Sequence, residues 1–278
     1  MAHLDIINRI KTLATPDNFS PRKQTIARHF ANASDYDQHA KIQQQVCQYL
    51  IDKLTHTEHD SVLEVGAGTG QMTRLLAAHI QSQYWLINEL CAEQVATLQS
   101  ILPNADIAIG DAETMNFEDE HSLIISANAV QWFDDPLNFV AQSSRRLRAG
   151  GQLLFNTFTP NNFWQIKSLT GQGLYYPDID EWQLALISAG FEKIELSTQR
   201  FELPFASPYA ILKHMKLTGV STNQTQVKAN RTQPFMWTKA RLQQFESDYW
   251  KHFSAQDDDG QPIVHLTYEV LIVSAFKS

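Results

Sequence analysis

A strand-like segment that leads into a turn rich in glycine contains the residues with the clearest chemical meaning. Residues 62–65 are apolar except at Glu64, which is typical of a strand buried on both faces of a parallel sheet. The turn reads Glu64-x-Gly66-x-Gly68-x-Gly70, and residues 71–80 follow with a helical pattern. Because such a turn lacks side chains, a ligand can approach its backbone closely.

The spacing of the glycines separates this turn from other nucleotide-binding motifs. A dinucleotide fingerprint needs a glycine five positions after the first, and Gln71 stands there. A P-loop would end in Gly-Lys followed by Ser or Thr, and no such run follows the turn. Taken alone, the turn is equally compatible with a purely structural connection between a strand and a helix.

Two acidic residues that follow the next two predicted strands favour a ligand. Residues 84–89 read as a buried strand that ends in Glu89, about 20 residues past the glycines. Residues 105–109 read as a third strand, and Asp111 follows it. Since parallel strands end at one edge of the sheet, both acids should reach the turn. Glu89 suits the two hydroxyls of a ribose, and Asp111 suits the amino group of an adenine.

The turn and its acids resemble motif I and the neighbouring strand ends of class I S-adenosylmethionine (SAM) methyltransferases. This resemblance implies SAM as the cofactor and S-adenosyl-L-homocysteine as its product. The residues that we expect to bind the cofactor are Glu64, Gly66, Gly68, Gly70, Glu89, Leu90, Asp111, Ala112 and Asn128.

Length and composition suit one large globular domain, or a domain with a cap, with a full core. The chain has 278 residues, 43% of them hydrophobic, and only two cysteines, which predicts a protein of the reducing cytoplasm. It has no apolar run near the ~18 residues of a membrane span. A net charge of −8 argues against nucleic acid as a partner. Residues 203–245 nevertheless contain six cations and no Asp or Glu, which indicates either a docking face for an acidic partner or a polar segment without acids.

The order of predicted elements gives an α/β fold. We expect a doubly wound, Rossmann-like sheet of the class I methyltransferase type, mostly parallel with an antiparallel edge strand. Residues 1–20 read as a weakly ordered leader, and 21–278 as one methyltransferase domain that starts with helices. A helical cap at about 203–250 precedes the last strand. Residues 148–151, Arg-Ala-Gly-Gly, read as a helix stop and a turn.

The segment after the fourth predicted strand lacks a nucleophile. Residues 126–133 offer small residues, the Asn128 amide and two aromatic rings. No Ser-His-Asp arrangement, Cys-x-x-Cys or His-Glu-x-x-His motif is present. His56 and His59 have a spacing seen in metal sites, but no third ligand accompanies them, so we predict no metal. Methyl transfer is compatible with this set, because it needs no protein nucleophile.

A closer resemblance is to the malonyl-acyl-carrier-protein O-methyltransferases of biotin synthesis, and it covers residues from about 22 to the end. The segments that carry it are Phe30, Tyr36-Asp37-x-x-Ala40-x-x-Gln43, the glycine motif, Ala129-Val130-Gln131-Trp132, Leu212-Lys213-x-x-Lys216-x-x-Gly219-Val220 and Leu266-Thr267-Tyr268-Glu269-Val270. The chain departs from the family at Asn32, where many relatives have a basic residue, and at Lys213, where Arg is common. A Lys cannot form the planar fork that Arg offers to a carboxylate.

The resemblance implies methylation of the free carboxylate of a malonyl thioester on acyl carrier protein. Such a carboxylate is already ionised at neutral pH, so no general base is required. We expect Tyr36 and Trp132 to form an aromatic wall, and Lys213 or Lys216 to orient the acceptor. Core packing of the aromatic residues and solvent exposure of the lysines are the alternatives. Methylation of a free small carboxylic acid or another metabolite remains open, as does a SAM-binding module without activity.

Overall fold

The computed structural model describes residues 10–12, 19–31, 40–117, 120–218 and 237–278. The strands within these residues are β1 (Ile10–Thr12), β2 (Glu58–Val65), β3 (Gln81–Glu89), β4 (Asp106–Ile109), β5 (His121–Ser126), β6 (Leu147–Phe158), β7 (Phe191–Phe205), β8 (Ser254–Gln256) and β9 (Pro262–Lys277). The α-helices are α1 (Pro21–Ala31), α2 (Lys41–Asp52), α3 (Gln71–His79), α4 (Val95–Ile101), α5 (Pro136–Arg146), α6 (Trp164–Thr170), α7 (Ile179–Ser188), α8 (Pro208–Leu217) and α9 (Lys239–Phe253).

The strands form one sheet in the order β1-β4-β3-β2-β5-β6-β9-β7, and β8 pairs with β9 in antiparallel fashion. The strand β2 is central and pairs in parallel with β3 and β5. The pairs β3–β4, β4–β1 and β5–β6 are parallel as well. The sequence order reverses direction across the sheet at β2, which confirms the predicted doubly wound α/β fold.

The sheet forms around buried apolar strands. Val62 and Leu63 are fully buried on β2, as a central strand between two layers of helices requires. On one side, the aromatic rings of Phe139, Phe155 and Trp182 pack in series, with centroid separations of 5.4 and 5.2 Å. These rings join α5, β6 and α7 into the core, and aromatic pairs at such distances add to the free energy of area burial.

The chain divides into two compact units. The first contains the described residues up to Thr157 together with 179–197 and 271–278, and the second contains 158–178 and the described residues between 198 and 270. Within the second unit, α9 packs against α6 through the rings of Phe253 and Trp164, 5.0 Å apart. The buried Tyr268 ring lies 4.6 Å from that of Phe163, and its hydroxyl lies 2.8 Å from Nε2 of His214. The single-domain and cap boundaries given above remain predictions.

Several details differ from the sequence-based expectations. Residues 148–151 belong to β6 rather than to a turn, and the pairing of β6 with β5 shifts register between His121 and Leu123 to accommodate the extra length. The helix α6 was not predicted. Within the expected leader, Ile10–Thr12 pair in parallel with β4, while 1–9 and 13–18 lie outside the described residues. No helix among the described residues has both the length and the apolar character to cross a membrane.

Candidate functional site

A cavity of about 930 Å³, counting the part that opens to solvent, lies at the carboxyl edge of the sheet in the first unit. Its lining comes from the residues that follow β2, β3, β4 and β5, which is where ligands bind in open α/β sheets. One face of α1 contributes Lys23, Ile26 and Phe30, and α2 contributes Cys47.

The three glycines of the turn serve different purposes. A Cβ on Gly66 would come within 2.4 Å of the Ala129 Cβ, and one on Gly70 within 2.5 Å of Ile101 Cδ1. A side chain at either position would therefore clash with a neighbouring residue of the protein. Gly68 has a φ of +55°, and a Cβ there would meet no protein atom within 4 Å. Because Gly68 lines the cavity, its missing side chain leaves a cradle for a ligand against the backbone.

Glu89 ties the turn to the end of β3. Its Oε2 accepts a hydrogen bond of 2.7 Å from the Gly68 amide, and its Oε1 accepts one of 2.9 Å from the Cys91 amide. Burial raises the pKa of the carboxyl, while these amide donors act in the opposite direction. Each oxygen has a second lone pair, so the carboxylate can still accept from the two hydroxyls of a ribose.

Asp111 is the second buried acid of the lining. Its Oδ1 accepts hydrogen bonds of 3.1 Å from Lys23 Nζ and of 3.1 Å from the Glu113 amide. Since both hydrogen bonds to this carboxylate within the described residues end on Oδ1, Oδ2 retains its capacity to accept from the amino group of an adenine.

Asn128 shapes the wall beyond β5. It has a φ of +54°, which is uncommon outside glycine, and two reciprocal hydrogen bonds with Asn156 hold it there. Its Nδ2 also donates to the Gln43 carbonyl at 3.2 Å. Because these polar groups are engaged within the protein, the residue fixes the shape of the cavity beside the expected position of the reacting methyl group.

Trp132 and Phe30 form an aromatic pair in the lining. Their rings meet edge to face with centroids 5.6 Å apart, and Trp132 is buried. The sequence paired Trp132 with Tyr36 in an aromatic wall, but Tyr36 lies outside the described residues. Phe30 therefore supplies an aromatic partner that the structure does describe.

Glu64 is buried next to the turn, although it is not among the residues that line the cavity. Neither of its carboxyl oxygens has a hydrogen-bond partner among the described residues. Burial raises the pKa of Glu64 from 4.5 to about 8, and the nearby Glu89 adds to the increase. The Thr73 hydroxyl faces the carboxyl and offsets part of that shift, but the two groups do not meet hydrogen-bond geometry. A cation at the turn would favour the ionised form.

Two free thiols, Cys47 and Cys91, also line the cavity. Burial raises the pKa of Cys47 to about 12 and that of Cys91 still further above its ordinary value. Because the thiolate is the nucleophilic form, both sulfurs remain unreactive near neutral pH. This matters beside a methyl donor, which would alkylate a thiolate.

The structure brings together most of the residues predicted from the sequence. Those in the lining are Gly66, Gly68, Glu89, Leu90, Asp111, Ala112, Asn128 and Trp132. Glu64 and Gly70 are not among the described residues that line the cavity. Lys213 and Lys216 belong to the second unit, where both are exposed on α8. Their assigned roles in binding remain predictions.

Sequence reasoning missed the contribution of α1. Lys23, Ile26 and Phe30 have the i, i+3, i+7 spacing of one helix face, but only Phe30 stood out, through the family resemblance. A lysine at this position reads as a solvated surface residue, so no local signal indicated its burial.

The residues around the cavity fit SAM. The open cradle at Gly68 and the two carboxylates at adjacent strand ends match the shape and the hydroxyl and amino donors of that cofactor. Within the described residues, no group of three or more His, Cys, Asp or Glu side chains is arranged to hold a metal ion.

Comparison with known proteins places the chain in a family. The Methyltransferase domain family matches residues 63–155. The malonyl-acyl-carrier protein O-methyltransferase of Haemophilus ducreyi is 36% identical over 265 residues, which cover 92% of this chain and 97% of that protein. Among solved structures, YcgJ from Bacillus subtilis is similar with a TM-score of 0.58 at 18% identity, over 84% of this chain and 98% of that one. Phosphoethanolamine N-methyltransferase 2 of Haemonchus contortus, solved with S-adenosylhomocysteine, has a TM-score of 0.55 at 14% identity over 93% and 60%.

The doubly wound sheet, the glycine turn and the two strand-end carboxylates define a class I SAM-dependent methyltransferase. Identity to the H. ducreyi relative extends over nearly the full length of both chains. The chain therefore belongs to the malonyl-acyl-carrier protein O-methyltransferase family.

Proposed function

We propose that this protein transfers the methyl group of SAM to the free carboxylate of a malonyl thioester carried on acyl carrier protein. The observation that carries the proposal is the protonation chemistry of the cavity. Among the described lining residues, the titratable groups are Lys23, Cys47, Glu89, Cys91 and Asp111. The two carboxylates and the lysine are held in hydrogen bonds, and the two thiols have raised pKa values, so none is arranged as a general base.

An acceptor that must lose a proton before it reacts would need such a base. A carboxylic acid has an ordinary pKa near 4 and is already an anion at neutral pH. A carboxylate acceptor therefore matches the lining better than an alcohol or an ammonium group does, and this agrees with the name of the H. ducreyi relative.

The residues of the chain would act by binding and by excluding water. When bound, SAM supplies a methyl group activated by a sulfonium. Glu89 would hold the ribose hydroxyls, Asp111 the adenine amino group, and the Gly68 backbone would permit close approach. Trp132 and Phe30 would keep the reacting end dry, which favours the encounter of an anion with a cation whose charges cancel. Fixed orientation of two bound partners can lower the barrier by about 7–11 kcal/mol.

The acceptor needs a grip that does not restrain its attacking oxygen. A tight ion pair with that oxygen would stabilise the ground state and slow the transfer. Lys213, Lys216 and Tyr36 are the residues that we propose for orienting the thioester, through its other carboxylate oxygen or through the phosphopantetheine arm.

An acidic carrier protein suits α8. Tyr209, Lys213 and Lys216 follow one another at i, i+4 and i+7, and all three are exposed, with Tyr209 at 61%. Residues 203–245 contain no acid that would oppose such a partner. The ester product would mask the charge of the malonyl group, as the resemblance to the biotin-synthesis family implies. The two free thiols suit the reducing cytoplasm, where we propose that the protein works.

A panel of acceptors tests the proposal. Purified protein is mixed with SAM labelled in its methyl group and with malonyl-acyl carrier protein, malonyl-CoA or free malonate, and the esters are identified by mass spectrometry. We expect rapid labelling of the carrier-bound malonyl group and slow labelling of free malonate. Acetyl-acyl carrier protein, which lacks the free carboxylate, is the matched control. Faster labelling of free acids would identify the protein as a small-molecule methyltransferase, and cofactor binding without any labelling would identify a non-catalytic module.

A further inference from the structure

The helix α1 places a charged residue inside the wall of the cofactor cavity. Lys23 is only 3% exposed, although lysine is among the residues least often buried. Two turns of the same helix face continue the wall with Ile26 and Phe30. A buried ammonium group is tolerated only where partners compensate the loss of water, so its contacts identify what it does.

The Lys23 ammonium bridges two carboxylates. Its Nζ lies 3.1 Å from Asp111 Oδ1 and 2.7 Å from Glu113 Oε2, and 4.7 Å from the centroid of the Phe133 ring. Charge-assisted hydrogen bonds of this kind are short and directional. The lysine therefore has a defined orientation between the end of β4 and the segment after β5.

Glu113 anchors the other side of the bridge. Its Oε2 also accepts a hydrogen bond of 2.8 Å from the Asp134 amide, and its Oε1 accepts one of 2.8 Å from the Asp135 amide. The Glu113 amide in turn donates to Asp111 Oδ1 at 3.1 Å. Asp111 is thus held at one oxygen by two donors, which turns its other oxygen into a fixed acceptor.

We propose that Lys23 is a positioning residue that orients Asp111 to recognise the exocyclic amino group of the cofactor's purine. The inference rests on one part of the proposed function, namely that SAM binds in this cavity, and it does not depend on the acceptor. Lys23 holds Oδ1 of Asp111, and Oδ2 accepts the hydrogen bond from the amine. Without the ammonium group, Asp111 keeps only the hydrogen bond from the Glu113 amide and is repelled by the Glu113 carboxylate, so its orientation weakens and the discrimination between an amino group and an oxo group on the purine falls.

Binding of two nucleosides that differ only at this group tests the inference. Calorimetry measures the affinities of S-adenosyl-L-homocysteine and S-inosyl-L-homocysteine, in which an oxo group and a ring N–H replace the amine. We expect the wild-type protein to prefer the adenosyl compound by about tenfold to a hundredfold, as a hydrogen bond to a charged group provides. Lys23→Met, which keeps the apolar stem, should reduce this ratio to about threefold or less. Lys23→Arg should restore a large part of it.

The neighbouring Arg22 supplies a matched control. Arg22 also fastens α1, through Asp134 at 2.6 Å and the Phe133 carbonyl at 2.9 Å, but it does not contact Asp111. Arg22→Met should lower both affinities in parallel and leave their ratio unchanged. If Lys23→Met also lowers both affinities equally, Lys23 only docks the helix, and the inference is overturned.

If Lys23→Met does not fold, which circular dichroism would detect, a second variant tests the inference in its place. Glu113→Gln keeps the lysine but weakens its second anchor, and it should lower the ratio severalfold; an unchanged ratio would again overturn the inference. A wild-type ratio near one would overturn it as well. Failure of the acceptor panel together with an intact ratio would count against the proposed acceptor alone, so the two failures are distinguishable.

Discussion

The cavity of the first unit and the exposed face of α8 in the second unit use charge in opposite ways. In the cavity, Lys23, Glu89 and Asp111 are buried, and each is held by hydrogen bonds to other groups of the protein. On α8, Lys213 and Lys216 are exposed to solvent. Buried, fixed charges suit a small ligand with one pattern of donors, whereas exposed lysines suit a macromolecule that matches their sign. The comparison suggests that cofactor binding and carrier binding respond to different substitutions.

The largest effect is expected at the cradle. Gly68→Val should abolish measurable SAM binding, a loss of about 4 kcal/mol or more, because the side chain would fill the cavity beside the backbone. Gly150→Val is the matched control, since Gly150 has a similar φ of +74° and no protein atom near its missing Cβ, but lies outside the lining. Calorimetry with S-adenosylhomocysteine measures both. Equal binding losses in the two variants would mean that backbone strain, and not the cradle, sets the effect.

The next effect concerns the Glu64 carboxyl and the pH dependence of stability. Because its pKa is raised from 4.5 to about 8, the folded state binds the proton more tightly than the unfolded state does. The free energy of unfolding should therefore be highest, as far as this group is concerned, below pH 4.5 and fall as the pH rises towards 8. Glu64→Gln should remove this component, which amounts to roughly 3 kcal/mol between pH 4.5 and about pH 7.

Urea unfolding at a series of pH values compares Glu64→Gln with the wild type and with Glu58→Gln, a variant of an exposed glutamate on the same strand. The difference between wild type and Glu64→Gln should change with pH, whereas that for Glu58→Gln should stay nearly constant. Parallel profiles for all three proteins would show that the Glu64 carboxyl titrates at its ordinary pKa.

A moderate effect is expected at Glu89. Glu89→Ala should weaken SAM binding by about 1–3 kcal/mol, because it removes the acceptor for the ribose hydroxyls and releases the Gly68 amide. Glu93→Ala, at an exposed position four residues later, is the control and should bind SAM as the wild type does. The affinities come from calorimetry. Wild-type affinity in Glu89→Ala would show that this carboxylate does not contribute to SAM binding.

The smallest effect is expected on α8. A variant with both Lys213→Ala and Lys216→Ala should raise KM for malonyl-acyl carrier protein about three- to tenfold, and the effect should shrink as salt is added. The affinity for S-adenosylhomocysteine should not change. Lys251→Ala, an exposed lysine on α9, is the control. A parallel loss of cofactor affinity in the double variant would show that the lysines of α8 also affect cofactor binding, and that the two regions do not act separately.

Sequence alone predicted the parts of this protein that depend on local pattern and sheet topology. The apolar runs of β2 and β3 specify buried strands, and acids that directly follow parallel strands must meet at one edge, which is why Glu89 and Asp111 both lie in the lining. Their roles in binding stay predictions. The three glycines were recognised together, but their separate purposes depend on distant atoms. The side chain that closes Gly70 belongs to Ile101, which no spacing rule connects to the turn.

The rest depends on tertiary contacts that leave little trace in the sequence. Lys23 has the appearance of a surface residue, and its burial results from two acids about 90 residues later. Residues 148–151 contain a glycine pair that indicates a turn, yet pairing with β5 extends them into β6. Tertiary context overrode local preference at both positions.

The hydrogen bond between Glu89 and the Gly68 amide limits how the donor specificity of this enzyme could be redesigned. The acid expected to read the sugar is also a structural support of the loop, so a substitution that accepts an altered ribose would loosen the loop as well. At the purine end, replacing Asp111 would remove one of the two carboxylates that partner the buried Lys23, so a redesign there would have to change Lys23 as well.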